Sequence, residues 1–177
     1  MDKKELIPAS LVDLLNYRIN QEELSSRLYY AMHEWLEDKG YFGAASMMKR
    51  WSREEEDHAG WAREFLESYG VLPMVDAIGK VQTQYISLKD VMTSAYKHEV
   101  DITKQCNDLA KLATKEECYS VMPLALRYMK EQTDEIDKTI SWLDRLELVG
   151  DDPRELMMID REMGGGSDTP PTAKSDY

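Results

Sequence analysis

The chain has 177 residues, 42% hydrophobic and 32% charged, which suits one soluble domain with a buried core. Its net charge of −12 argues against a nucleic-acid or anionic-membrane partner, because phosphates are recognised by basic patches. No apolar run reaches the roughly 18–20 residues that span a bilayer. The start Met1-Asp2-Lys3-Lys4-Glu5 lacks the apolar stretch of a signal peptide. Cys106 and Cys118 fit no metal or redox spacing, and Cys106 reads as a small core residue. These features together predict a cytoplasmic protein. The acidity serves solubility, or a field that concentrates cations.

Four long helices are predicted, over residues 9–38, 42–70, 86–114 and 116–148. The first begins with Pro8 in its first turn and carries the stripe Leu11, Leu15, Ile19, Glu22, Ser26, Tyr29. Gly40 makes a short turn, so the first two helices are expected to be antiparallel. The second helix carries Trp51, Glu55, His58, Ala62, Phe65, Tyr69 and is stopped by Gly70 ahead of Pro73. The next link, residues 71–85, is rich in Pro, Gly and Val. About 15 residues can reach roughly 50 Å when extended, and a helix of about 28 residues is roughly 42 Å long. The link can therefore run the length of a bundle and make helices two and three parallel. The third stripe is Leu88, Met92, Ala95, Glu99, Ile102, Cys106, Leu109, Ala113. A close join at Thr114 and Lys115 makes helix four antiparallel to helix three. The fourth stripe is Val121, Ala125, Tyr128, Gln132, Glu135, Thr139, Trp142, Leu146, with Pro123 marking a first turn or a kink.

A short fifth helix is signalled by Asp152 as N-cap, Pro153 as first residue and Glu155 as capping-box partner, closing before Gly164-Gly165-Gly166. Its apolar face, Leu156, Met157, Ile159 and Met163, can fold back on the bundle or pack in an oligomer. Oligomer packing is the favoured expectation. The domain is expected to end near residue 163, with 164–177 a disordered polar tail. The predicted fold class is all-α: a four-helix bundle with one long crossover between helices two and three, plus a short C-terminal helix.

Residues three and four apart share one helix face, so every long helix aims a carboxylate inward near its middle. A buried carboxylate without a partner costs several kcal/mol or more. Four of them beside one imidazole make sense if cations lie between. Glu55 and His58 form an E-x-x-H step that puts an oxygen and an imidazole ligand on one face. Carboxylates favour hard ions, imidazole extends the range to iron, zinc and manganese, and the lack of thiolates argues against structural zinc. Glu55, central and beside His58, is the natural bridge between two metals. A metal-free cluster of hydrogen-bonded polar residues would not need so many ligands in register.

These residues resemble those of a prokaryotic non-haem ferritin, over the whole chain to about residue 163. The matching segments are Asn20-Gln21-Glu22-Glu23-Leu24-Ser25-Ser26, Glu54-Glu55-Glu56-Asp57-His58, Tyr96-Lys97-His98-Glu99, Glu131-Gln132 with Glu135, and Met158-Ile159-Asp160-Arg161-Glu162. The resemblance implies a ferritin-like bundle and a di-iron ferroxidase centre. Its first site would use Glu22, Glu55 and His58, with Gln132 close by. Its second would use Glu55 and Glu99, with Glu135 nearby. A third iron would use Glu54, Glu131 and Glu135, with Asp134 a further candidate. Tyr29 matches the family tyrosine beside the centre. The resemblance further implies ferrous iron as substrate, dioxygen or hydrogen peroxide as oxidant, and a hollow homo-oligomeric shell of 24 subunits holding ferric mineral.

Single positions separate near relatives. Haem-containing bacterioferritin carries methionine where Glu56 stands, so no haem is expected. Bacterioferritin and rubrerythrin carry a second E-x-x-H on helix four, where this chain has Glu135, and rubrerythrin adds C-x-x-C pairs that are absent here. The small DNA-protecting ferritins have a basic terminal arm, for which Lys3-Lys4 is a poor match. Arg127 stands where many bacterial ferritins have tryptophan, which weakens an electron-relay role there. His33 and His98 read as surface or helix-end histidines, with His98 on a different face from Glu99. Two competing functions are a di-iron peroxidase or oxidase without mineral storage, and a non-catalytic metal-buffering helical protein.

Overall fold

The structure is a computed structural model and describes residues 3–165. Its main elements are α1 (Ala9–Lys39), α2 (Phe42–Ser68), α3 (Leu88–Lys115), α4 (Met122–Val149) and α5 (Pro153–Gly164), with 3₁₀ turns at Lys3–Leu6 and Tyr119–Val121. There is no strand among the described residues. None of their helices is long and apolar enough to cross a membrane.

Helix boundaries follow local chemistry. Pro8 takes the N-cap position of α1, one residue ahead of the first turn where the sequence suggested it. Gly40 ends α1 at φ 83°, a left-handed conformation that glycine adopts without a Cβ penalty. The next amide, Tyr41 N–H, bonds back to Leu36 O at 2.9 Å and satisfies a terminal carbonyl. Ser87 caps α3 by accepting from the Asp90 amide at 3.0 Å. The fourth helix starts at Met122, later than residue 116. Glu117 at φ 53° reverses the chain, and the Tyr119–Val121 turn must be completed first. Pro123 lies in the first turn of α4 and produces no kink.

Cross-helix contacts fix the topology. Ser26 meets Ser52 and His33 meets Ala45, so α1 and α2 run antiparallel. Arg18 meets Gln105 and Ser25 meets His98, so α1 and α3 are antiparallel too. Helices α2 and α3 are therefore parallel, as the long link requires. The link tracks α1 from end to end. Met74 N–H donates to Asn16 at 2.8 Å, Asn20 donates to Ala77 O at 3.1 Å, and Tyr85 packs edge-on against Trp35 at 5.6 Å. Thr103 meets Gln132 and Lys89 meets Glu147, which makes α3 and α4 antiparallel.

The interior is layered. One apolar cluster fills one end of the bundle with Met32, Leu36, Met47, Trp51, Met92 and Trp142. A second fills the other end with Leu11, Leu15, Leu66, Ile102, Leu109 and Ala125. Between them lies a buried polar layer from all four long helices, Glu22, Glu55, His58, Glu99, Gln132, Glu135 and Thr139. The inward stripes hold throughout α1, α3 and α4. In α2 the stripe drifts: Leu66 is buried, while Phe65 and Tyr69 are half-buried.

The fifth helix corrects an expectation. Ile159 and Met163 are buried in the first apolar cluster, and Leu156 packs against it. Only Met157 and Met158 remain largely exposed, so most of the apolar face is covered by the chain's own bundle rather than left for an oligomer. Gly43 permits this packing. A Cβ built there would fall 1.7 Å from Asp160 O, which the α5 backbone occupies. Helix α5 also includes Gly164, one residue beyond its expected end. The remainder of the tail expected to be disordered, residues 166–177, lies outside the described residues.

Candidate metal centre

Each long helix delivers at least one ligand-type side chain to the polar layer. Helix α1 supplies Glu22, α2 supplies Glu55 and His58, α3 supplies Glu99, and α4 supplies Gln132 and Glu135. Glu22, Glu55 and His58 each place a ligand atom within 4.8 Å of the others. His58, Glu131 and Glu135 form a second group by the same measure. His58 thus faces two ways. Its Nδ1 lies 3.1 Å from Glu55 Oε2, and its Nε2 lies 3.9 Å from Glu131 Oε1. Burial alone would lower the His58 pKa, but the Glu55 hydrogen bond and charge reverse this and raise it.

Glu99 is oriented by two donors. The Tyr29 hydroxyl donates to Oε1, and Gln132 Nε2 donates to Oε2 at 3.1 Å. The Thr103 hydroxyl lies 2.9 Å from Gln132 Oε1 and 2.8 Å from the Glu99 carbonyl, and so holds the amide beside Glu99. Burial and the neighbouring Glu55 charge push Glu99 up to about 7. Burial pushes Glu135 up to about 8, against the opposing pull of Lys138. Burial and the Glu99 charge hold the Tyr29 phenol well above its ordinary value. Carboxylates this crowded retain protons near neutral pH, and a divalent ion placed among them would take over the neutralisation.

Glu22 is gripped by a wholly buried arginine. Arg18 Nη2 pairs with Glu22 Oε1, and Arg18 Nη1 donates to Gln105 at 2.7 Å. Glu22 Oε2 is buried with no hydrogen-bond partner. A buried acceptor left this way costs about 1–3 kcal/mol, more when charged. Glu22 belongs to the group with Glu55 and His58, and this unpartnered oxygen is suited to a metal ion.

The structure therefore brings Glu22, Glu55 and His58 together, and Glu131 with Glu135. Glu99 is adjacent, tied to Tyr29 and Gln132 rather than to a three-ligand group. Glu54 lies 3.5 Å from Lys138 and belongs to neither group. Asp134 is exposed and joins neither.

His33 and His98 are not surface residues. His33 is buried, with Nδ1 3.1 Å from Ala45 O. His98 is half-buried, 2.7 Å from Ser25 Oγ and edge-on to Tyr29 at 6.0 Å, and burial lowers its pKa. Other participants escaped the sequence reading. Arg18 and Lys138 lie one turn from Glu22 and Glu135, but at helical spacing alone a cation reads as a solvated residue. Trp61 lies one turn beyond His58, with ring centroids 4.5 Å apart. The Arg127 guanidinium lies over the Trp61 ring at 3.7 Å. The aromatic ring beside the site comes from α2, while the α4 position supplies a cation.

Comparison with known proteins identifies the family and the fold. The ferritin-like domain family matches residues 12–149. A probable bacterial non-haem ferritin-like protein of Haemophilus influenzae is 33% identical over 159 residues, covering 90% of this chain and 96% of that protein. The bacterial non-haem ferritin of Escherichia coli O6:H1 is 30% identical over 158 residues, covering 89% and 96%. Among solved structures, the open-pore ferritin of Archaeoglobus fulgidus superposes with a TM-score of 0.89 at 27% identity, covering 91% of this chain and 99% of that one. On this family match and these relatives, the chain belongs to the ferritin family, beside the bacterial non-haem ferritins.

Proposed function

We propose that this chain is an iron-storage ferritin with ferroxidase activity. The carrying observation is the buried layer in which Glu22, Glu55 and His58 converge from two helices, with Glu99 and Glu135 beside them. Ferrous iron is the substrate. Glu22, Glu55 and His58 would hold one ion, and Glu55, Glu99 and Glu135 would serve a second, with Glu55 shared. Gln132 and Tyr29 orient Glu99. Two ferrous ions give up two electrons. With two protons these convert dioxygen to hydrogen peroxide, or hydrogen peroxide to two waters. The chain's part is to gather the ions, hold their spacing and release carboxylic protons as they enter. The relatives' ferritin names support iron handling of this kind, and on our reading the ferric product is stored in a cytoplasmic shell of 24 subunits.

The test is stopped-flow oxidation of ferrous iron by the assembled protein and by Glu55→Ala. Glu55 is the residue shared by both ions, so the variant is expected to lose the fast phase while keeping its helical circular dichroism. A wild-type rate in Glu55→Ala would overturn the paired-ion reading. Particle mass separates storage from peroxidase-type chemistry. A shell is 24 times the 20.5 kDa chain, whereas a di-iron peroxidase would be a monomer or dimer.

A further inference from the structure

The second ligand group already has a cation of its own. Lys138 lies one turn beyond Glu135 on α4, a spacing that puts both side chains on one face. Its Nζ is 3.0 Å from Glu135 Oε1 and 3.5 Å from Glu54 Oε2. The Lys138 side chain is only 14% exposed, so its ammonium is largely withdrawn from solvent. It joins α4 to α2 across the edge of the acidic layer. Glu135 is also a member of the group with His58 and Glu131 that could hold an ion.

We propose that Lys138 is a resident counter-cation that keeps a third divalent ion from binding tightly beside the paired centre. The inference rests on the ferroxidase reading above. An ammonium has three N–H donors and no lone pair, so it neutralises carboxylates without acting as a metal ligand. A divalent ion that recruits Glu135 and Glu54 must break both ion pairs. It must then sit beside a largely buried ammonium, whose repulsion solvent screens only in part. With His58 engaged by the first ion, Glu131 is the member of the group left unencumbered by Lys138, which makes this a weak, exchangeable position. The Glu22, Glu55 and His58 group uses neither Glu135 nor Glu54 and is not penalised in this way, and the second ion keeps Glu55 and Glu99 as ligands.

The experiment is calorimetric titration of the assembled, metal-free protein with zinc, a redox-inert probe, counted per subunit. Wild type is expected to take two tight ions and a third at least tenfold more weakly. Lys138→Met, which keeps length and removes the charge, is expected to bind the third ion at least tenfold more tightly than wild type. Lys138→Arg, which keeps the charge, is expected to behave as wild type. Three ions of equal affinity in wild type, or an unchanged third ion in Lys138→Met, would overturn the assignment. If Lys138→Met does not assemble, the wild-type count of two tight ions or three decides. Fewer than two tight ions in wild type would instead strike at the ferroxidase reading, and the Lys138 role would fall with it.

Discussion

Asp160 accepts a hydrogen bond from the Ala44 amide at 2.8 Å, so the fifth helix caps the second across 116 residues of sequence. Tyr41, the N-cap residue of α2, offers no side-chain cap of its own. Asp160 satisfies an amide that would otherwise be orphaned and puts a carboxylate at the positive end of the α2 dipole. Arg145 pairs with Glu162 and ties α5 to α4 as well. The last helix is thus part of the bundle's own architecture.

Gly43→Ala tests this packing. The added Cβ meets α5 backbone at Asp160, and backbone cannot swing aside as a flexible side chain would. Overpacking costs about 1–3 kcal/mol when side chains can adjust, so the loss here is expected at or above the upper end. It should appear as a lower Tm and faster proteolysis near residue 150. A variant with wild-type Tm and protease resistance would show that α5 is not held against α2 in this way.

Truncation after Gly150 should do more than impair assembly. It removes Ile159 and Met163 from the core cluster and leaves the Ala44 amide uncapped. Burial of such side chains is worth roughly 1.5–3 kcal/mol each. The truncated subunit is therefore expected to unfold at lower urea than the full chain under dissociating conditions. An unchanged midpoint with lost assembly would mean that α5 serves only contacts between subunits.

The metal-free protein should lose stability as pH rises. Glu99 and Glu135 have an ordinary value of 4.5 but titrate at about 7 and about 8 in the fold. Below 4.5 both folded and unfolded chains hold these protons. Above it the unfolded chain releases them while the fold retains them, so stability drains away as pH climbs through 7 and 8. The raised His58 acts in the same direction, and the lowered His98 opposes it. In EDTA, Tm is expected to fall by on the order of 10 °C between about pH 5 and pH 9. The double variant Glu99→Gln, Glu135→Gln should flatten that fall. A wild-type Tm that stays level or rises over this window would contradict the crowded-carboxylate picture.

Much of this was legible because helical periodicity constrains every residue of a long buried stripe. Glu22, Glu55, His58, Glu99, Gln132 and Glu135 fell on their stripes, and all are buried. The direction of the crossover followed from its length. What escaped depends on partners distant in sequence. Nothing near Ile159 announces that Gly43 leaves room for α5. Nothing at Lys138 alone shows that Glu54 of α2 reaches it. The start of α4 was blurred because the apolar period continues through Val121, although the chain is still turning at Glu117. His98 was misjudged because its angular offset from Glu99 still leaves it facing Tyr29 and Ser25 on α1.

Trp61 offers the last prediction. Its ring centroid lies 4.5 Å from that of His58, 3.7 Å from the Arg127 guanidinium carbon and 5.3 Å from the Tyr128 ring. The Tyr128 hydroxyl donates to the His58 carbonyl at 2.7 Å, so the backbone and the ring of His58 are held by adjoining aromatics. A cation over an aromatic face is worth about 0.5–1 kcal/mol when exposed and more when desolvated. Groups that orient a metal-binding histidine typically change metal affinity by about 10–100-fold. Trp61→Ala removes the ring that flanks the imidazole. It is expected to weaken zinc binding at the first site by about tenfold. Trp61→Phe should restore most of the affinity, because the phenyl ring can still pack on His58. Arg127→Gln should have a smaller effect, since it uncovers Trp61 without touching the imidazole. Calorimetric zinc titration reads all three variants. Wild-type affinity in Trp61→Ala would show that the fold positions His58 without this stack.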